Sequence, residues 1–319
     1  MMVKEKESIV IQLDVYHQNR NNMKFLITGS NGFLGKAIYT EVSKFGEVDT
    51  LNTKHGTYAV NLAEEMPEIS TKYDVVVHCA GKAHTVPSNE MEAAEFYNIN
   101  VNGTKNLLKG LEATGAVPKA IVFISSVSVY GLSHGTYISE TEPLRAEDPY
   151  GKSKILAEQL LSDWCLRKQV RICILRLPLL IGRNAPGNLG AMKDGITKGY
   201  YFNIGGGSAR KSMVLVEDVA NMIIPASLMS GIFNLTDGYH PTFRELSYAI
   251  AERLGRKRPM NLPLLSAKIL SNLGELIGRR APLNVNKLKK ITSTLTFDDS
   301  KARTALNWRP KSVLDNLDL

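Results

Sequence analysis

The short apolar run KFLIT (24–28) breaks into GSNGFLG, and the apolar residues Phe33, Leu34, Ala37, Ile38 and Val42 then recur at helical spacing. No other stretch restricts the fold as tightly. Gly29, Gly32 and Gly35, three apart, let the chain turn sharply out of a strand and start a helix with no side chain in the way. The helix then aims its first N–H groups and the positive end of its dipole at the turn, an arrangement suited to an anion such as a pyrophosphate. The loop Gly29, Ser30, Asn31, Gly32, Phe33, Leu34 and Gly35 is therefore the candidate phosphate cradle. Its place after the first strand of the fold is the context a dinucleotide site requires.

The rest of the chain supplies that context. DVVVHC (74–79), AIVFIS (120–125) and VRICILRL (170–177) are continuous apolar runs, as expected of parallel strands covered on both faces. Helical stretches over 89–114 and 150–168 separate them. The expected class is α/β: a Rossmann-type doubly wound parallel sheet with right-handed crossovers. After about residue 180 the loops IGRNAPGNLG and NIGGGSARK alternate with shorter elements, and helices are expected over 242–255 and 263–279. This divides the chain into an extension at 1–22 outside the fold, a dinucleotide-binding domain at 23–180 and a smaller mixed α/β substrate lobe at 181–319. Some of the lobe's chain is expected to return to the sheet.

Composition excludes several other classes. No apolar run approaches the roughly 20 residues that span a bilayer, and residues 1–22 lack the tripartite pattern of a secretory signal. Cys79, Cys165 and Cys173 form neither a CxxC pair nor a metal spacing, which suits reduced, packed thiols in a cytoplasm and no metal site. Residues 251–319 carry 14 Lys and Arg against 6 Asp and Glu, which accounts for the whole net charge of +8. Such a segment can attract an anionic ligand, nucleic acid or a membrane surface, but the expected reading is a solvated face that needs no partner. No basic strand is interleaved with aromatics, so nucleic acid is not an expected partner. Within it, Leu262, Leu265, Ile269, Leu270, Leu273, Leu276 and Ile277 form one stripe, with Lys268 and Arg279 nearby. The expectation is a core-facing helix, and a peripheral membrane contact is the alternative.

PYGKSK (149–154) places Tyr150 and Lys154 four residues apart, on one face of a helix start. A phenol titrates near pH ~10 and exchanges protons poorly at neutral pH unless a cation stabilises its phenolate. Lys154 can be that cation. The strand AIVFIS runs into SSVSVYG, so Ser125 and Ser126 sit at a carboxyl strand end, where ligands of open α/β sheets bind. A hydroxyl there can hydrogen-bond the substrate oxygen that gains or loses the proton.

With TGSNGFLG (28–35), HCAGKAH (78–84), NINVNGTKNLL (98–108), FISSVSVYG (123–131), YGKSK (150–154), LRLPLLIG (175–182), GSARKSMVLVEDVA (207–220) and LNWRP (306–310) in this order, the chain resembles the extended short-chain dehydrogenases/reductases that act on nucleotide sugars. The resemblance implies an enzyme that binds NAD(P) and a UDP- or dTDP-linked sugar. It implies Tyr150 as acid/base, Lys154 as its partner on the nicotinamide ribose and Ser126 as the catalytic hydroxyl. Ala80, Gly81 and Asn100 would line the cofactor. Lys82, His84, Asn188, Arg210 and Lys211 would face the substrate, the last three at its diphosphate, whereas His78 reads as core. A homodimer built on helices 89–114 and 150–168 is implied by analogy with the family.

Two reactions fit. In the family, a 4,6-dehydratase carries carboxyl groups directly after the catalytic hydroxyl, and here Val127 and Ser128 follow Ser126, so that reaction is disfavoured. A C4 epimerase oxidises and re-reduces its sugar, whereas a 4-keto reductase delivers one hydride. The expected reaction is reduction of a UDP-4-keto-6-deoxy-(N-acetyl)hexosamine for polysaccharide synthesis, with UDP-hexose or UDP-N-acetylhexosamine 4-epimerisation as the alternative. A non-catalytic dinucleotide sensor on the same fold is the alternative of another class. The second strand, VDTLN, favours the reductase. It ends at Asn52, where such sites usually place a carboxylate that grips the adenosine ribose and repels a 2′-phosphate. Asn52 removes that repulsion and Lys54 adds a cation, which tilts the expectation towards NADPH over NADH.

Overall fold

The computed structural model describes residues 23–83, 87–277 and 283–319; the extension expected at 1–22, and His84, lie outside them. β1 (Met23–Thr28) passes through the glycine loop into α1 (Phe33–Val42), followed by β2 (Gly46–Asn52), the short β3 (Tyr58–Ala59) and β4 (Val75–His78). Next come α2 (Glu90–Tyr97), a π-helical turn (Asn98–Asn102), α3 (Gly103–Ala113), β5 (Ala120–Ser126), a 3-10 turn (Val127–Tyr130), β6 (Gly135–Ile138), α4 (Pro149–Lys168) and β7 (Arg171–Leu177). The remainder comprises β8 (Leu179–Ile181), α5 (Asn188–Lys198), β9 (Asn203–Ile204), β10 (Met213–Leu215), α6 (Val216–Asn221), α7 (Ile223–Ser227) and β11 (Gly231–Asn234). It closes with α8 (Phe243–Arg253), β12 (Asn261–Leu262), α9 (Leu264–Ile277), α10 (Val285–Thr292), β13 (Leu295–Phe297) and α11 (Ser300–Ala305).

The main sheet has seven strands in the order β11-β7-β5-β4-β1-β2-β3. Every neighbouring pair is parallel. Strand periodicity then sorts the side chains into two cores. Phe25, Ile27, Val75, Val77, Val122 and Leu175 point to one face, where Ile38, Val219 and Ile223 from α1, α6 and α7 cover them. Leu26, Val76, Ile121, Phe123 and Ile174 point to the other, against Leu107, Ala157 and Leu161 from α3 and α4. This is why the sequence runs read as continuously apolar. The connectivity reverses between β1 and β4, where open α/β sheets bind ligands.

The stretch expected as one helix at 89–114 is helical throughout 90–113 but contains a π turn. The later chain builds a further core from Leu189, Met192, Met213, Leu246 and Ile250. β11 pairs with β7 at the edge of the main sheet. Trp308 is buried and donates its Nε1–H to the Thr236 carbonyl (2.9 Å), anchoring the C-terminal segment beneath it.

The core-facing expectation for the 262–279 stripe is overturned. In α9 the residues that pack inwards are small, Ala267 and Ser271, whereas Leu265, Ile269 and Leu273 are 73%, 57% and 54% exposed. Periodicity identified residues that share a face but not which face the neighbouring chain covers. Small residues let neighbouring chain approach closely, so the large ones are left outside. The side chains of Leu276 and Ile277, and Arg279, lie outside the described set.

Candidate active site

The glycine loop sits at the switch point and is shaped by what surrounds it. Gly29 has φ +72°, and a Cβ there would lie 2.8 Å from the backbone of Ala80, two residues past β4. A Cβ on Gly35 would stand 2.2 Å from the Gly29 carbonyl oxygen. Larger residues at either position would close the turn. Gly32 caps α1 with no side-chain hydrogen bond, so the helix start keeps N–H groups free for an anion. These features fit a dinucleotide's pyrophosphate. Backbone, not side chains, forms the cradle: Leu34 is in the core and Phe33 packs against it.

β2 ends at Asn52, as the sequence indicates, and no carboxylate follows it before His55. Asn52 is buried and its amide is occupied within the loop. Its Nδ2 donates to Ser30 Oγ (2.9 Å), and its Oδ1 accepts from the Asn31 N–H (3.4 Å). Asp49 is committed elsewhere, accepting from Tyr73 (2.6 Å) and Thr57 (2.8 Å). Lys54 is exposed.

Ser126, Tyr150 and Lys154 come from two adjoining elements, the end of β5 and the first turns of α4. The N-cap of α4 is Asp148, whose carboxylate accepts from the Gly151 N–H (3.0 Å), and Pro149 opens the helix. Ser126 is buried and caps the 3-10 turn by accepting from the Ser128 N–H (3.1 Å). Burial pushes the Tyr150 phenol above its ordinary value, and the Ser126 hydroxyl within hydrogen-bonding reach works in the opposite direction. The Tyr150 ring lies 6.0 Å from that of Phe96 in α2. Lys154 is buried, donates from Nζ to the Ile124 carbonyl (2.8 Å) and stands 4.7 Å from the centre of the Phe123 ring. Burial pushes its ammonium down to about 8, while Cys79 and Glu158 oppose the shift.

Asn100 lies in the π turn, a distortion that recurs at functional sites. Its amide is fully used: Oδ1 accepts from the Lys82 N–H (2.7 Å), and Nδ2 donates to Ser153 Oγ (2.8 Å) and the Lys82 carbonyl (3.2 Å). It therefore clamps the segment after β4 to α4. A Cβ on Gly81 would approach Asn100 Oδ1 to 2.9 Å and Lys154 Nζ to 3.3 Å, so the chain passes directly over the lysine. Of the expected substrate residues, Lys82 is ion-paired with Glu95 beside Phe96. Asn188 is the first residue of α5 and is exposed. Arg210 donates to the His240 carbonyl (2.9 Å) and lies over Tyr239. Lys211 is pushed down to about 8 by burial and by Lys290. A cleft of about 250 Å³ lined by Gly182, Asn184, Ala185, Leu189 and Lys193 adjoins the Asn188 segment but includes neither Tyr150 nor Lys154.

Two buried networks escaped the sequence reading. Thr104 donates to the Asn100 carbonyl (2.6 Å) and so accepts from His78 Nε2–H (2.9 Å); Thr28 accepts from the Ala80 N–H (3.1 Å) and donates to His78 Nδ1 (2.7 Å). This chain defines the tautomer of His78, which burial pushes down to about 3 and keeps neutral. Beneath the Ser–Tyr–Lys set, Glu158 takes a two-point ion pair from Arg176 (2.7 and 3.1 Å) and accepts from Ser125. Arg176 continues to Tyr130 (3.1 Å), and Tyr130 donates to Asn234 (2.8 Å). Glu158 follows Lys154 by one helical turn, a spacing that could have signalled the second network.

Residues 25–234 match the model of the NAD dependent epimerase/dehydratase family. The chain belongs to this family. It is an NAD-dependent family of nucleotide-sugar enzymes, in keeping with the short-chain dehydrogenase/reductase resemblance. Among curated relatives, the N-acetyl-alpha-D-glucosaminyl-diphospho-ditrans,octacis-undecaprenol 4-epimerase of Escherichia coli O157:H7 is 25% identical, covering 93% of this chain and 94% of its own. The UDP-glucose 4-epimerase of Vibrio cholerae is 27% identical, covering 91% of each. The UDP-glucose 4-epimerase of Thermotoga maritima, solved with UDP-glucose, superposes with a TM-score of 0.72 over 92% of this chain and 96% of its own at 22% identity. That likeness shows the shared fold. Among the described residues, no helix is long and apolar enough to cross a membrane.

Proposed function

We propose that this family member is an NAD(P)-dependent 4-epimerase of a hexose or N-acetylhexosamine carried on a diphosphate. The observation that carries the reading is the convergence of Ser126, Tyr150 and Lys154 beside the glycine loop, in a chain that two curated 4-epimerases match over 91% and 93% of its length. The diphosphate is attached to uridine in one relative's substrate and to undecaprenol in the other's. UDP is the first carrier to test. The cofactor, held by the loop 29–35 with Ala80 and Gly81, supplies the hydride acceptor and donor when bound; Asn100, expected to line it, instead spends its amide on Lys82 and Ser153 and positions that segment.

The chain's own residues handle the proton. Tyr150 takes the C4 hydroxyl proton as that carbon becomes a carbonyl, and returns it to the same oxygen when the hydroxyl is restored. Ser126 hydrogen-bonds that oxygen in both directions. Lys154, a buried cation one turn along the helix, favours the phenolate electrostatically, against the burial that raises the phenol. Val127, where a dehydratase would need an acid, packs against the apolar cluster around Val129 and Tyr130.

A second reading, reduction of a UDP-4-keto-6-deoxy-(N-acetyl)hexosamine by NADPH, rests on one observation. The end of β2 offers no carboxylate to repel a 2′-phosphate, and the amide of Asn52 is spent on the loop. Incubation without added cofactor separates the two. Interconversion of UDP-glucose with UDP-galactose, or of the two UDP-N-acetylhexosamines, read by mass spectrometry and chromatography, supports the epimerase. Stoichiometric loss of NADPH absorbance with the 4-keto sugar, and no interconversion, replaces it with the reductase.

A further inference from the structure

The exposed face of α9 has no role in the chemistry above. Around the helix, Ala267 and Ser271 mark the packed side, and the positions opposite them are Leu265, Ile269 and Leu273. Met260, just before β12, is 69% exposed, and β12 pairs with β9, next to which Phe202 is also exposed. An apolar face of this kind opposite a packed small-residue face calls for an occupant.

Charge identifies the occupant. Residues 256–290 contain nine Lys and Arg and a single acid, Glu275. Glu275 accepts from the Val285 N–H (3.0 Å), tying α9 to the start of α10. Lys268 lies on α9 beside Ile269, Lys257 leads into β12, and Lys289 is on α10; all three are exposed. Apolar residues along one side of a helix, with Lys268 among them and a strongly basic flanking chain, match a bilayer interface that presents acyl chains beneath anionic headgroups. A protein partner that buried this face would need a compensating acidic rim, and a second copy of this chain would bring like charge against like.

We propose that α9 is a peripheral docking helix that seats the protein on an anionic phospholipid surface through Leu265, Ile269 and Leu273, with Lys268 at the headgroups. The proposal deepens the function above, since a bilayer-seated enzyme would meet a sugar diphosphate carried on lipid, but its test does not depend on that function. Sucrose-gradient flotation of the full chain with vesicles of phosphatidylcholine, alone or mixed with phosphatidylglycerol, measures it. Binding is expected to the mixed vesicles at low salt, and to weaken as salt is raised. L265E/I269E alters only exposed residues and is expected to weaken flotation by about tenfold or more. Lys268→Ala is expected to weaken it by about fivefold. Circular dichroism and turnover of a soluble nucleotide sugar by both variants should match the parent.

Absence of flotation at low salt overturns the docking proposal, as does equal flotation of parent and L265E/I269E. Sedimentation that finds a vesicle-free dimer dissociated by L265E/I269E also overturns it, by assigning the face to a second copy. Flotation without any epimerase or reductase activity leaves the docking helix standing and removes the functional reading.

Discussion

Lys154 is the residue whose environment departs most from what four-residue spacing alone indicates. Spacing places it beside Tyr150; the fold buries it against Phe123 and the Ile124 carbonyl. Its folded pKa of about 8 lies below the ordinary lysine value of 10.5, so between those values the unfolded chain binds more protons than the folded one. The burial cost is therefore fully present below pH 8 and is relieved as pH rises towards 10.5. Stability should rise across that window by at most about 3–4 kcal/mol, at ~1.4 kcal/mol per pKa unit, and urea denaturation of Lys154→Met should lack the rise. Activity should move oppositely, falling as the cation is lost above pH 8. Tyr150→Phe should cost turnover by about 10²- to 10⁴-fold with little change in melting temperature, measured under the conditions that establish the reaction. Unchanged turnover would remove Tyr150 from the chemistry and revive the dinucleotide sensor.

At the level of elements, β5, α4 and β7 are held in register by the buried Glu158–Arg176 pair as well as by apolar contact. Removing one partner strands the other charge in the core. Arg176→Met should therefore destabilise by about 3–5 kcal/mol, seen as a fall in the urea midpoint, while Glu158→Gln with Arg176→Met should recover much of the loss. A double variant as unstable as the single would show that Arg176 acts through packing. The helices were largely legible in the sequence because their apolar period survives burial. The π turn at 98–102 was not, since one wider turn inside a helical run leaves nearly the same spacing. The placement of Asn100 against both Lys82 and Ser153 depends on that turn.

For the whole molecule, the decisive property is which ligands stabilise the assembled sheet. A cofactor that binds only the folded chain at ~100 times its Kd adds about 2.7 kcal/mol. With no carboxylate at the end of β2, NADPH should raise the melting temperature at least as far as NADH at matched concentration, read by differential scanning fluorimetry. A shift confined to NADH would show that an acid from elsewhere in the fold reaches the ribose. Gly29-x-x-Gly32-x-x-Gly35 after an apolar strand, with Tyr150 and Lys154 at a helix start, was enough to read the α/β class, the phosphate loop and the candidate catalytic set. These are local matters: backbone freedom, strand and helix period, and side chains one helical turn apart. The tertiary structure alone decided that Asn52 spends its amide on the glycine loop, that Glu158 and Arg176 meet under Ser125, and that the large residues of α9 face outwards. Each is a contact between segments distant in sequence, or the lack of one. Periodicity specifies which side chains share a face, and only the packed chain specifies what lies against it.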